Sequence, residues 1–176
     1  MARLRRLWAP VLAGLLVAGL LGPASGAVAT VEPRAQTATL VVPASDFFPT
    51  SDDWSYRSVG YLMGAGYGSF AAPVDFPMAE VKIKKITLYA FDMDPFDICL
   101  SLYRSAPAAM APVFVGTVCT SGSSSTNPQV LPTTDLDPRL VNAAFHGSYL
   151  LVNFSGGTGD FTLKFYGAKV TYTYEP

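Results

Sequence analysis

The sequence predicts an all-β protein built from two packed antiparallel sheets. Short apolar stretches alternate with clusters of Gly, Pro, Ser and Asn about every ten residues, and no stretch places apolar side chains at helical spacing. Charged residues make up only 14% of the chain and aromatic residues 12%, a balance typical of strands and tight turns. A central hairpin also places the two cysteines opposite each other. We therefore expect eight or nine strands in a jelly-roll or related Greek-key sandwich.

The N-terminal segment has the three parts of a secretory signal peptide. Arginines precede an apolar run from Leu7 to Leu21, and small residues follow it. The tripeptide Ala27-Val28-Ala29 favours cleavage after Ala29, with a competing site at Ala24-Ser25-Gly26. Glycines interrupt the apolar run, which is short for a membrane span. We expect a removed signal peptide, 1–29, a single β-sandwich domain, 30–176, and no retained membrane span.

Charge and cysteine content indicate the compartment and exclude some partners. Removing the three leader arginines from 12 basic residues leaves nine against 13 acidic ones, a net charge of −4. An acidic chain of this kind is a poor match to nucleic acid or to an anionic membrane. Outside the cytoplasm a disulfide persists, so two cysteines predict one bridge. We expect a secreted or cell-envelope-associated protein.

The first half of the mature chain predicts short strands joined by loops. Ala38–Val42 is a strand that Pro43 ends, and 44–58 reads as a loop with room for a short edge strand. Tyr61–Met63 and Ser69–Ala71 flank three glycines and predict a tight hairpin. A longer strand covers Val81–Phe91, in which the inward-facing parity changes. A β-bulge near Lys84-Lys85 accounts for that change.

Residues 97–120 predict a β-hairpin of two antiparallel strands. With its apex at Ala109, Cys99 falls opposite Cys119, Ser101 opposite Thr117, and Tyr103 opposite Val115. One face is then apolar and the other carries sulfurs and hydroxyls, as a half-buried antiparallel pair requires. A cross-strand disulfide between Cys99 and Cys119 follows.

Three strands are expected after the hairpin. Gln129–Thr133 is short, and an irregular connection separates it from Ser148–Phe154, which is apolar on both faces and predicts a central strand. The last strand, Phe161–Tyr174, changes its inward parity after Gly167, so a second bulge or bend is expected there. An immunoglobulin-like sandwich is the alternative topology. Against it, the cysteines are partners within one hairpin.

Several segments resemble a loose group of uncharacterised bacterial exported β-sandwich proteins. They are the glycine-containing hairpin with Ala-Pro-Val, the bulged strand with its terminal Asp, the Ser-Leu-Tyr-Arg strand, and the closing Phe-Tyr-Gly and Tyr-Thr-Tyr motifs. The resemblance implies export and a sandwich fold. It brings no catalytic residue to carry over.

Enzymatic chemistry has few candidates in this chain. His146 is the only histidine, so a two-histidine metal site is excluded and a Ser-His-Asp triad depends wholly on it. A pair of carboxylates acting on a glycoside stays open. The expectation is a protein that is not an enzyme.

Two features suggest binding instead of catalysis. Asp92, Asp94 and Asp97 lie on one turn, where carboxylates can supply the oxygens that Ca²⁺ prefers. Solvated turn aspartates are the alternative explanation. A second group consists of aromatic residues in the N-terminal loop region, whose flat rings can stack on sugars or can cover the end of the core; the candidate ligand-binding members are Trp54, Tyr56, Tyr61 and Tyr67.

These features leave three functional hypotheses. The first is an exported, non-enzymatic protein with a structural, adhesive or surface-interaction role, which meets a glycan or another envelope or extracellular protein. The alternative is a carbohydrate- or calcium-binding module, with Ca²⁺ as the one cofactor considered. The third is a secreted hydrolase.

Overall fold

The predicted two-sheet architecture is confirmed by the structure, a computed structural model of the chain. It describes residues 34–50, 60–63, 67–106, 111–121, 127–144, 146–156 and 162–176, without the side chain of Tyr67. The predicted signal peptide, the glycine turn at 64–66 and the apex at Ala109 lie outside the described residues. Within these ranges the helical structure is a three-residue 3-10 turn, Ala44–Asp46, and no helix has the length and apolarity of a membrane span.

Eleven strands are present in the described ranges, two or three more than expected. The additional ones are very short. The strands are β1 (Gln36–Pro43), β2 (Phe48–Pro49), β3 (Leu62–Met63), β4 (Tyr67–Val74), β5 (Glu80–Asp92), β6 (Ile98–Ser105), β7 (Val113–Cys119), β8 (Gln129–Thr133), β9 (Leu140–Asn142), β10 (Gly147–Ser155) and β11 (Leu163–Tyr174).

The strands form one six-stranded and one five-stranded sheet, and all pairs are antiparallel. The six-stranded sheet has the order β1-β11-β5-β8, with β3 beside β11 and β9 beside β5. The five-stranded sheet has the order β2-β4-β10-β6-β7. Among the described strands, only β6 and β7 are both consecutive in sequence and hydrogen-bonded to each other. Most connections therefore pass from one sheet to the other, as in jelly-roll topologies.

This topology makes the predicted glycine hairpin wrong. Leu62–Met63 pairs with β11 in the six-stranded sheet, whereas β4 pairs with β2 and β10 in the five-stranded sheet. The two segments lie close in sequence but belong to opposite layers. The connection between β8 and β10 also contains β9, a short strand that the sequence analysis read as irregular.

The core lies between the inner faces of the two sheets. Four phenylalanine rings fill it, and they meet edge to face across the layers and within them. Phe47 contacts Phe165 with ring centroids 4.8 Å apart, and Phe70 contacts Phe154 at 6.0 Å. Such contacts add about 0.5–1.5 kcal/mol each beyond the burial of the rings.

Both predicted parity changes of the six-stranded sheet are confirmed. In β5 the pairing skips Lys84, since Lys85 lies opposite Thr171 and Ile83 opposite Tyr172. In β11 it skips Tyr166, and the buried set passes from Leu163 and Phe165 to Ala168, Val170 and Tyr172. Phe161, which we expected to begin this set, lies outside the described residues.

Gly167 permits the second bulge. Its φ of +142° lies in a region that side chains with a Cβ rarely adopt. A Cβ at this position would also lie 2.8 Å from the carbonyl oxygen of Val42 on β1. The glycine therefore lets β1 and β11 approach closely at the bend.

Candidate functional site

The outer face of the five-stranded sheet carries aligned rows of aromatic and polar side chains. Alternate residues of its strands, such as Leu100, Leu102, Leu150 and Val152, are buried in the core. Because side chains alternate across a strand, the residues between them point away from the core. The register of β4, β10, β6 and β7 then aligns these outward residues in rows that cross the four strands.

One row is formed by a proline and three aromatic residues, which we call the aromatic row. Tyr149 of β10 lies opposite Pro73 of β4 on one side and Tyr103 of β6 on the other. Tyr103 in turn lies opposite Phe114 of β7. Four adjacent strands thus each contribute one flat side chain to a continuous band.

A β-bulge brings Phe114 into this row and corrects the predicted pairing of Tyr103 with Val115. The register shifts between Leu102 and Tyr103, so β7 contains one additional residue there. Val115 turns into the core, and its carbonyl accepts a hydrogen bond from the backbone N–H of Asp137 at 2.7 Å. With Val115 turned inward, Phe114 takes the place opposite Tyr103.

The rings of the aromatic row pack on one another. Tyr103 and Tyr149 stack with centroids 5.2 Å apart and planes 12° apart. The ring of Phe114 contacts Tyr103 edge to face at 5.7 Å, and 47% of Phe114 is exposed. The tyrosine ring faces therefore support each other, whereas Phe114 offers its ring to solvent.

The packing of the row shifts the pKa of Tyr149 upward. Burial raises the pKa of Tyr149 above its ordinary value of 10.0, and the neighbouring Tyr103 raises it further. The row contains no carboxylate, ammonium or guanidinium group, and its phenolic hydroxyls can donate and accept hydrogen bonds.

A second row, beside the aromatic one, contains hydroxyl groups. It runs from Ala71 through Leu151 and Ser101 to Thr117. The Thr117 hydroxyl donates to the carbonyl of Leu100 at 3.1 Å, so it accepts from Ser101 Oγ at 2.9 Å. Ser101 is only 6% exposed, so the hydroxyl that this row presents to solvent is that of Thr117.

A third row holds an amide and the two cysteines. Ser69 donates a hydrogen bond to Asn153 Oδ1, and Asn153 lies opposite Cys99. Cys99 and Cys119 are direct cross-strand partners with sulfurs 2.07 Å apart, as the hairpin pattern predicts. None of the residues in the three rows carries a formal charge, so the face suits a neutral ligand.

The aromatic residues predicted from the sequence do not form this site. Trp54 and Tyr56 lie outside the described residues, and Tyr67 is described only through its backbone, which pairs with Ser155. Tyr61 lies against the other sheet, with its ring 5.8 Å from that of Tyr166. Whether the first three contribute to binding stays a prediction.

The acidic turn is more buried than the sequence analysis assumed. Asp92 is 1% and Asp94 2% exposed. Asp92 Oδ1 accepts from the backbone N–H of Asp94 at 3.0 Å, and Asp94 Oδ2 accepts from the Thr162 hydroxyl at 2.9 Å. Asp97 instead lies beside Ser155: its carbonyl accepts from the Ser155 N–H at 3.0 Å, and its own N–H donates to Ser155 Oγ at 2.8 Å. Within the described ranges no three acidic, histidine or cysteine side chains converge as metal ligands.

His146 has a structural contact in this fold. Its Nδ1 donates to the carbonyl of Asn142 at 3.0 Å, which closes the turn before β10. It borders a hollow of about 370 Å³ whose described lining contains Asp75 but no hydroxyl or thiol group. The described lining of this hollow therefore lacks the hydroxyl that a Ser-His-Asp triad needs.

The sequence analysis missed Tyr103, Tyr149 and Phe114 as candidate binding residues. The outward parity of Tyr103 and Tyr149 was visible within their predicted strands. Their contact depends on β10 lying beside β6, which no local pattern indicates. The position of Phe114 opposite Tyr103 also depends on the bulge at Val115.

Comparison with known proteins finds similar folds at low identity. No protein-family model and no curated protein sequence matches the chain. The xylan-binding module CBM15 is 14% identical, with 80% of this chain and 100% of that chain covered and a TM-score of 0.46. The carbohydrate-binding module CBM36, in complex with calcium and xylotriose, is 13% identical over 78% of this chain and 99% of that chain, with a TM-score of 0.42.

A viral structure has a similar score. Infectious bursal disease virus, Gx strain, is 11% identical with a TM-score of 0.43, and 82% of this chain is covered. This chain spans about a third (33%) of the length of that viral chain.

Proposed function

We propose that the protein is a carbohydrate-binding module that holds a neutral glycan on the outer face of its five-stranded sheet. The aromatic row is the observation that carries this proposal, because it ends in a half-exposed Phe114 ring on an uncharged surface. Sugar rings combine apolar C–H faces with hydroxyl groups. The three rows offer matching partners for both.

The aromatic row makes two kinds of contact in the proposed binding. The exposed ring of Phe114 packs against the C–H face of one sugar, and removing water from both surfaces drives that contact. The phenol groups of Tyr103 and Tyr149 hydrogen-bond sugar hydroxyls. Because Tyr103 and Tyr149 already stack, little side-chain freedom is lost when the glycan binds.

Affinity electrophoresis in gels containing xylan, β-glucan or mannan tests the proposal. We expect at least one of these neutral polymers to retard the protein, and Phe114→Ala to weaken that binding about tenfold or more, a loss of about 1.4 kcal/mol. Val130→Ala is the matched control, since it removes an exposed apolar side chain from the other sheet.

Two results would overturn the proposal. The first is no retardation by any of the three polymers. The second is unchanged retardation of a folded Phe114→Ala, Tyr103→Ala double variant. Unchanged thermal melting establishes that this variant is folded.

We also propose that the protein acts outside the cytoplasm as a single domain of residues 30–176. The signal-peptide pattern of 1–29 supports this, and so does the adjacency of Cys99 and Cys119, because disulfides persist in oxidising compartments. N-terminal sequencing of the exported protein should give Thr30, or Ala27 from the competing site. An intact N-terminus on cell-associated protein would contradict cleavage.

Calcium binding at the acidic turn is a second candidate, favoured by one observation. Asp92 Oδ2 is buried and has no hydrogen-bond partner, which is costly for a carboxylate oxygen. Asp92 and Asp94 fit the oxygen preference of Ca²⁺, although the cation takes six to eight ligands and the described residues supply two neighbouring carboxylates.

A melting experiment tests this candidate. Millimolar Ca²⁺ should raise the melting temperature of the wild type, since a ligand that binds the folded state stabilises it. Asp92→Asn should abolish that increase, while Asp135→Asn, on an exposed loop, should retain it. A melting temperature that responds to neither Ca²⁺ nor chelator would refute the site.

A further inference from the structure

The chain concentrates its lysines on one surface. All five, Lys82, Lys84, Lys85, Lys164 and Lys169, lie on β5 and β11, which pair in the six-stranded sheet. On each side of the bulges, the buried residues of these strands alternate with the lysines. The lysine side chains therefore point away from the core. We call this surface the lysine face.

The register distributes these charges along the sheet. Lys164 lies opposite Phe91 at one end, and Lys82 lies opposite Thr173 at the other. At about 3.3 Å per residue, these positions span about 30 Å along the strands. Lys169 and Lys85 lie between them, so the positive charge follows a line and not a compact cluster.

Aromatic rings hold the ammonium groups at one end of this line. Lys164 Nζ lies 5.2 Å from the ring centroid of Tyr61 and 5.1 Å from that of Phe91. Lys169 Nζ lies 5.9 Å from the ring of Tyr89. Rings attract a cation without neutralising its charge, so these ammonium groups keep their charge for a ligand.

The positive charges of the lysine face are not paired with acidic side chains in the part of the chain that the structure describes. No lysine forms an ion pair with any residue in the part of the chain that the structure describes. Glu80 and Glu175 lie near Lys82 and Lys84, around a groove at that end of the sheet. These two carboxylates lie at the end of the lysine face that carries Lys82 and Lys84, away from Lys164 at the other end.

We propose that the lysine face binds an acidic polysaccharide, a linear sugar polymer with carboxylate groups. Its length and line of charges complement an extended polyanion. The rings of Tyr61, Tyr89 and Phe91 add apolar surface between the charges, which suits the C–H faces of sugar rings. Nucleic acid fits less well, because its double strand carries one negative charge per about 1.7 Å and is therefore repelled by the acidic mature chain more strongly than a polymer with one carboxylate per sugar.

This inference is independent of the neutral-glycan proposal, since the two surfaces lie on opposite sheets. Binding of polygalacturonate, measured by calorimetry at low salt and at 1 M NaCl, tests it. We expect binding at low salt and its loss at 1 M, where the screening length falls to about 3 Å. Replacing Lys85, Lys164 and Lys169 together by Gln should weaken binding at least tenfold.

Control variants show whether binding depends on the charge of the lysines, on their exact shape, or on the outer face of the other sheet. The corresponding triple Lys→Arg variant keeps the charge and should bind within about threefold of the wild type. Phe48→Ala, which removes an exposed ring from the five-stranded sheet, should bind polygalacturonate like the wild type. Equal melting temperatures of the Gln and Arg variants rule out misfolding as the cause of lost binding.

Three outcomes would overturn the inference. They are no binding of polygalacturonate at low salt, unchanged binding by the folded Gln variant, and tighter binding of double-stranded DNA or of phosphatidylglycerol vesicles than of polygalacturonate. The last outcome would keep the lysine face as an anion site but would replace the polysaccharide by another partner.

Discussion

The outer faces of the two sheets have opposite surface chemistry although both obey the same alternation of side chains. The five-stranded sheet presents stacked tyrosines, Phe114 and hydroxyl groups without any charge. The six-stranded sheet presents all five lysines, some of them held by aromatic rings. The inner faces are alike, because both contribute apolar side chains to one core. Stability therefore constrains the inner side of each sheet and leaves the chemistry of the outer side free to differ.

A β-bulge in each sheet changes which side chains point toward the core and which point outward. In β7 the bulge buries Val115 and aligns Phe114 with the aromatic row. In β11 the bulge at Tyr166 keeps Lys164 and Lys169 outside while the core residues change parity. One inserted residue thus decides which side chains reach each outer face.

The largest expected effect tests the assignment of inner and outer faces in β11. Leu163→Ala leaves a cavity in the core and should lower the free energy of unfolding by about 2–5 kcal/mol. Lys164→Ala, one residue along, removes only surface contacts with two rings and should cost under about 1 kcal/mol. Urea unfolding measures both. Equal effects would mean that the two faces of β11 have been assigned wrongly.

Loss of the disulfide should lower stability nearly as much, because the bond joins β6 and β7 of the five-stranded sheet. Cys99 and Cys119 are 20 residues apart, and closing such a loop stabilises a fold by about 3 kcal/mol in the entropic treatment. Cys99→Ser combined with Cys119→Ser should lose about that amount in urea unfolding. Non-reducing mass spectrometry of the exported protein should show the loss of two hydrogens, and two alkylatable thiols would contradict the bond.

Replacing one glycine in each sheet by alanine should give stability effects of intermediate size. Gly167→Ala in β11 meets both a φ of +142° and the carbonyl of Val42, so it should cost about 1–3 kcal/mol. Gly147→Ala in β10 places its Cβ no closer than 3.4 Å to a neighbour and should change stability by less than about 0.5 kcal/mol. Similar melting temperatures for the two variants would show that the bend tolerates a side chain.

The smallest effect concerns ionisation within the aromatic row. Burial and Tyr103 raise the pKa of Tyr149, so the folded state favours the neutral phenol. The stability from this preference is complete below about pH 10, where an unfolded tyrosine ionises, and is lost as the pH rises through the folded pKa. Ultraviolet titration should show one late-ionising tyrosine that disappears in Tyr149→Phe. An unchanged titration curve would place Tyr149 in ordinary solvent.

Local patterns were enough to predict the strands, the cysteine pairing and both bulges of the six-stranded sheet. Each of these features depends on alternation within a single segment, and the alternation is visible in the order of apolar residues. The bulge at Val115 left no such sign. Val and Phe are both apolar, so either could occupy the inward position.

Features that join distant segments were not predictable in this way. The aromatic row requires β10 to lie between β4 and β6, although Tyr149 and Pro73 are far apart in sequence. The error at the glycine hairpin has the same origin, because neighbouring segments entered different sheets. For the acidic turn, the sequence placed Asp92 and Asp94 together but did not show their burial.

The edge strands carry a consequence for self-association. An exposed edge with unpaired backbone groups can recruit a strand from another molecule and start aggregation. Here β2 is two residues long and contains Pro49, β8 contains Pro132, β1 ends at Pro43, and β7 has a bulge. Proline lacks the N–H that a neighbouring strand needs, and a bulge interrupts the ladder. These interruptions leave few continuous backbone groups on which a second copy of the chain could add a strand, and so they protect the fold from edge-to-edge growth.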